Sequence, residues 1–151
     1  MIYSSIVKMK IRQTFNHVNN HSWDKATEAL APNIHHRVSG DHALGGERHD
    51  KDSVRRWFER LGRVLPTLRI TVTEVTVKGW PWNTQVFAQW DGKATLKNGT
   101  PYINRGLHAF TLRWGRVYAL EEFQDSQAAD NGLAAQAAAG IEEAAAAPIL
   151  S

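Results

Sequence analysis

The chain contains no cysteine. That excludes a disulfide framework and any thiol nucleophile or thiolate ligand set. No apolar run approaches the ~18 residues that a membrane span requires. The opening stretch, MIYSSIVKMKIRQTF, is too polar for a secretory signal, so a cytoplasmic protein is the default expectation. There is no dinucleotide-binding fingerprint and no nucleophile elbow, and Gly45-Gly46 is too short to cradle phosphate. His35, His36, His42 and His49 gather loosely, but at no recognised ligand spacing. Neither a metal nor a cofactor is expected.

The 151 residues are enough for one domain with a real core. Apolar residues make up 42% and charged residues 22%, ordinary values for a globular protein. The net charge of +3 raises the question of nucleic acid. The basic residues are scattered, however. Arg55, Arg56, Arg60 and Arg63 share an amphipathic segment with Asp52 and Glu59, which reads as a solvated face. Six tryptophans are many for this length, and the core is the expected place for most of them.

Apolar spacing predicts a helix over residues 4–20 and a short one over WDKATEAL. NIHHRVS reads as a short strand, and GDHALGGERHD as a loop. Asp50 or Asp52 can cap a third helix through Val64, with Val54, Trp57, Phe58 and Leu61 as its apolar stripe. From Leu68 the period changes to two. Four strands follow in antiparallel succession, with a bulge between Val72 and Val75 and a hairpin signal at Asn98-Gly99. The fold class is α+β, with helices gathered on one side of a curved sheet. After residue 126 the chain becomes alanine-rich. A partly helical tail over 127–151 is expected, packing loosely, reaching a partner subunit or fraying.

The stretch from Gly99 to Asp125 carries the strongest functional signal. Its alternate positions place Tyr102, Asn104, His108 and Phe110 on one strand and Leu120, Glu122 and Gln124 on the next. A face that mixes apolar and proton-handling groups suggests a pocket.

This order of elements, with three motifs, resembles the SnoaL-like branch of the nuclear-transport-factor-2-like superfamily. That superfamily includes ketosteroid isomerases, limonene epoxide hydrolases and polyketide cyclases. The motifs are FNHVNNHSWDKATEALAPNI, VSGDHALGGERHDKDSVRRWF and NRGLHAFTLRWGRVYALEEFQD. The resemblance implies a cone-shaped domain over residues 1–126, with an antiparallel sheet wrapped over three N-terminal helices and a deep apolar pocket. It also implies a homodimer joined through the convex sheet face. Apolar residues on both sheet faces agree with that, because a monomer would expose one of them.

The expected activity is cofactor-independent acid–base chemistry on a small or medium apolar carbonyl compound, such as an intramolecular aldol cyclisation or an isomerisation. Glu122 is the leading catalytic candidate, as a pocket carboxyl whose pKa burial would bring near neutrality. His36 is the titratable group closest to the position where isomerases carry their base, which is Val38 here. Asp41 and His42 lie in the loop at the expected pocket mouth. Asn104 and His108 could steady a developing enolate oxygen. Trp57, Tyr102 and Phe110 would be walls. Asp91 and Glu122 would occupy the two carboxylate positions of a limonene-type site, with Gln89 where that site has arginine. A non-catalytic ligand-binding dimer is the alternative. Nucleic acid and membrane partners are not expected.

Overall fold

The switch from period 3.6 to period two near Leu68 divides the molecule into its two layers. A computed structural model describes residues 2–151. The helices are α1 (Ile2–Asn19), α2 (Trp23–Thr27) and α3 (Lys51–Val64). The strands are β1 (Leu30–Val38), β2 (Gly46–Arg48), β3 (Arg69–Trp80), β4 (Asn83–Thr95), β5 (Pro101–Arg113) and β6 (Arg116–Gln124). They form one curved open sheet in the order β2-β1-β6-β5-β4-β3. The last four strands are antiparallel, and β1 joins β6 in parallel.

α1 buries Val7, Ile11, Phe15 and Val18, one residue per turn on a single stripe. It is tied to β3 by Asn19, whose side chain accepts from Ile70 N at 2.7 Å and donates to Ile70 O at 2.8 Å. α3 begins at Asp50, which accepts from Ser53 N at 2.8 Å. This cap satisfies one of the free amides of the first turn. On β3 the register shifts between Val72 and Glu74, within the predicted bulge. The extra residue lets Val72 and Val75 both face inward.

Three expectations need correction. The segment read as a loop after residue 39 contains β2, which pairs antiparallel with β1 through His36–Arg48, Arg37–Glu47 and Val38–Gly46. It is too short to show a period in sequence. The alanine-rich tail does not hang loose: it forms α4 (Ser126–Ala138) and a 3-10 turn (Glu142–Ala145) that pack back on the domain. Buried Gln136 donates to Val64 O and accepts from Lys97 N, both at 2.8 Å, and Glu143 is held by Arg60 and Arg63. Polar clamps thus supply what the missing large apolar anchors could not. The tryptophans also divide differently. Trp57 and Trp90 are buried, but Trp80, Trp82 and Trp114 stand on the β3–β4 and β5–β6 turns, 66%, 57% and 74% exposed. They pack on one another instead, with ring centroids 6.0 and 6.3 Å apart.

Among the described residues, no helix is long and apolar enough to cross a membrane.

Candidate active site

Alternation along the strands decides which side chains can meet inside the cone. β1 sends His36 inward, β2 Arg48, β4 Trp90, β5 His108 and β6 Glu122, and all five are buried. His108 and Glu122 are directly opposite in the β5–β6 ladder, and His36 is directly opposite Arg48. Glu122 is the centre. Its Oε2 lies 2.5 Å from His36 Nε2, and its Oε1 lies 3.1 Å from His108 Nε2.

The far side of each imidazole fixes where its hydrogen sits. Arg48 Nε donates to His36 Nδ1 at 2.9 Å, and Trp90 Nε1 donates to His108 Nδ1 at 2.7 Å. Neither a guanidinium nor an indole N–H can accept. Each Nδ1 must therefore present a lone pair, and each ring carries its hydrogen on Nε2. Both imidazoles are neutral donors aimed at one carboxylate. Glycine makes room for this: a Cβ on Gly106, the register partner of Trp90, would meet the indole at 2.5 Å and Phe123 O at 2.3 Å.

The electrostatics follow from that geometry. Burial alone would raise the Glu122 pKa, but the His108 and His36 contacts outweigh it and hold the carboxyl below its usual range. Burial lowers His36 below the ordinary imidazole value, although its hydrogen bond to Glu122 pulls the other way. Burial brings Arg48 down to about 10, with Glu122 opposing the fall, so the guanidinium stays charged at neutral pH. Its remaining N–H groups donate to Gly45 O and Gly46 O at 3.0 Å and to Ile149 O at 2.6 Å. Arg48 therefore joins the site to the C-terminal segment. The expected near-neutral Glu122 is replaced by a carboxylate that stays ionised.

Two cavities meet at Glu122 and His108. The larger, about 140 Å³, is walled chiefly by Phe15, Trp57, Phe58, Phe110 and Leu120. Its exposed lining residues Ile6, Lys10 and Gly115 mark a mouth between α1 and the β5–β6 turn. The smaller, about 40 Å³, lies on the other side and adds Tyr102, Asn104 and Gln124.

The other predicted residues divide by strand face. Trp57 lines both cavities, Phe110 the larger and Tyr102 the smaller. Asn104 is buried, but its amide hydrogens go to Tyr102 Oη at 2.8 Å and Asp125 O at 3.1 Å. Its oxygen accepts from Arg105 N and Asp125 N. It therefore has no hydrogen free for a substrate carbonyl. Gln89 and Asp91 alternate with inward Ala88 and Trp90, so they face outward and line a surface groove. The limonene-type carboxylate pair is absent for that reason. Asp41 is exposed, and His42 is buried with Nδ1 accepting from Leu44 N at 3.2 Å. Both line a groove against the C-terminal segment and not the cavity at Glu122. Arg48 and Trp90 were missed. Arg48 sits in the segment read as loop, and the tryptophan alternates like any core residue.

A SnoaL-like domain model matches residues 11–120. A search of curated proteins returns no match. Among solved structures, TerC co-crystallised with polyporic acid aligns with a TM-score of 0.69 at 16% identity, covering 80% of this chain and 92% of that one. A putative SnoaL-like polyketide cyclase from Jannaschia sp. CCS1 aligns at 0.64 and 19%, covering 83% and 89%. AclR, a putative hydroxylase from Streptomyces galilaeus, aligns at 0.66 and 14%, covering 82% and 81%. At these identities the likeness concerns the fold. With the domain model spanning most of the chain and a cone-type sheet around an interior carboxylate, this protein belongs to the SnoaL-like family.

Proposed function

We propose that the protein is a cofactor-independent enzyme that moves a proton on a small apolar carbonyl compound, by intramolecular aldol cyclisation or isomerisation. One observation carries this reading: an ionised carboxylate, held between two imidazole N–H groups, at the floor of an apolar cavity. The cavity's 140 Å³ is close to the roughly 150 Å³ of an engineered apolar cavity that binds benzene. The enclosed part of the cavity therefore suits a reacting group of single-ring size.

The roles follow from the hydrogens. Glu122 has no proton to give at first, so it is the base and takes a proton from the carbon next to the carbonyl. His108 borders both cavities, and its Nε2–H turns from Glu122 Oε1 to the carbonyl oxygen as negative charge collects there. His36, pinned by Arg48, keeps Oε2 in place. The enolate carbon then attacks a second carbonyl of the same molecule, whose π pair becomes an alkoxide that takes the proton back from Glu122. In an isomerisation the enolate instead takes the proton back from Glu122 at another carbon. A carboxylate held at low pKa is a weak base, so the abstracted proton must itself be acidic. A carbon flanked by two carbonyls meets that need.

The direct test is α-deuteration by NMR in D₂O, using small cyclic 1,3-diketones and aryl ketones. Exchange with wild type that is lost in Glu122→Gln supports the reading. Ketones that bind without exchange would replace it with the ligand-binding reading. A second reading, addition of water to a small epoxide, draws on the 40 Å³ side cavity beside Glu122, which has room for water. Diol formation from a small epoxide would favour it over ketone chemistry. Exposed Phe87, Ile103 and Phe123 on the outer sheet face suit the proposed dimer contact.

A further inference from the structure

The alternation that sends His36 and Arg48 inward sends their neighbours outward. His35 and Arg37 on β1, Glu47 on β2 and His49 just beyond it stand together on the outer face. His35 Nε2 lies 3.0 Å from Glu47 Oε2, and His49 Nε2 lies 3.9 Å from the same oxygen. All three ligand atoms fall within 4.8 Å of one another.

His49 is oriented by a second contact. Its Nδ1 lies 2.6 Å from Ser151 O, and its backbone N donates to Ser151 Oγ at 2.8 Å. A main-chain oxygen only accepts, so Nδ1 carries a hydrogen and Nε2 is the ring atom turned toward Glu47. At 3.9 Å Nε2 is too far from Glu47 Oε2 for a direct hydrogen bond. A cation held between them would engage both atoms. A histidine that donates its far N–H to a main-chain oxygen is the usual outer-shell arrangement of a metal ligand. Arg37 does not occupy the position. Its Nε is 3.5 Å from Glu47 Oε1, the other oxygen, and its Nη1 is 3.5 Å from Glu121 Oε1.

We propose that His35, Glu47 and His49 form a surface site for a divalent transition ion of the zinc type, with water completing the coordination. Ligand atoms about 2.1 Å from a tetrahedral ion stand about 3.4 Å apart, a spacing these three atoms reach by small side-chain rotations. Two imidazoles and one carboxylate suit zinc or nickel and not magnesium or calcium, which prefer oxygen ligands. On binding, His35 gives up its Nε2 hydrogen and carries it on Nδ1. The ion would hold the β1–β2 pair and the C-terminal residue to one point, behind Arg48 and His36. The site is distinct from the cavity and does not rest on the activity proposed above.

The test is titration of the full chain with Zn²⁺, Ni²⁺ and Mg²⁺ by calorimetry, followed by thermal unfolding. One zinc ion should bind per chain. At free metal a hundredfold above Kd the midpoint should rise by about 5–10 °C. His49→Ala and Glu47→Gln should each weaken binding at least tenfold while moving the metal-free midpoint by only about 1–3 °C, because the contacts they lose are partly exposed. In NMR, the His35 and His49 ring signals should move on addition of zinc. No saturable binding, equal binding of magnesium, or variants that bind like wild type would each overturn the proposal.

Discussion

Replacing Glu122 with glutamine tests the hydrogen-bond logic of the interior directly. In the wild type, both carboxylate oxygens accept from imidazole N–H groups whose tautomers Arg48 and Trp90 fix. A glutamine amide has one oxygen and one NH₂. The oxygen can satisfy one histidine, and the NH₂ then faces the other histidine's N–H, donor against donor. Neither ring can turn its lone pair inward without leaving Arg48 or Trp90 facing a hydrogen. One buried donor is stranded, at about 1–3 kcal/mol. Arg48 also loses the counter-charge that supports it across His36. Relief from burying a carboxylate offsets part of this. The net loss is about 2–3 kcal/mol, or about 4–12 °C in thermal midpoint for a domain of this size. That is within the ~5–15 kcal/mol of a folded domain, so the variant should remain folded.

The assay is circular dichroism melting from pH 4 to 8. The folded-state pKa values of Glu122 and His36 are both lowered. As pH falls below the ordinary His36 value of 6.5, the unfolded chain takes up a proton that the folded one refuses, and stability declines. Below the ordinary carboxylate value of 4.5, Glu122 adds a second decline in the wild type, which Glu122→Gln should lack. A variant that melts within 1 °C of wild type at pH 7, with the same acid profile, would refute the reasoning.

Trp90→Phe keeps the ring but frees His108 Nδ1, so α-exchange should slow about tenfold, the lower end of general acid–base effects being about a hundredfold. The space left by the indole and the unpaired Nδ1 should also lower the melting midpoint by several degrees, so the rates are compared where both proteins are folded. Gly132→Ala gains about 1 kcal/mol of helix propensity but puts a Cβ 2.6 Å from the Tyr102 ring. Overpacking of about 1–3 kcal/mol should win, and denaturant melts should show net destabilisation. If the proposed dimer forms through the outer face, wild type should sediment as a dimer and Phe123→Glu as a monomer; equal sedimentation coefficients for the two would remove that face from the contact.

Much of the fold was legible in the sequence because its signals are local. The stripe on α3, the Asp50 cap, the bulge on β3 and the turn at Asn98-Gly99 all arise from residues within a few positions of one another. The inward placement of His108, Phe110 and Glu122 also followed from period-two alternation. The same alternation already placed Gln89 and Asp91 on the opposite face from Trp90. Treating them as site residues set ladder position above face, and the face is what decides access to the interior.

Tertiary structure alone decided the rest. β2 is three residues long and has no period of its own; it exists because β1 offers an edge to pair with. That pairing brings Arg48 to His36 across 12 positions of sequence and turns a loop arginine into the group that sets a histidine's tautomer. The pKa of Glu122 could not be read either. Burial pushes a carboxyl up and two N–H donors push it down, and their balance depends on distances that no spacing rule supplies. The tail's docking rests on Gln136 and Glu143 meeting partners 72 and 80 residues away. Sequence thus determined which residues share a face, because strand and helix periods are backbone properties. The contacts across the sheet determined the chemistry, because a proton's position depends on both neighbours of the atom that carries it.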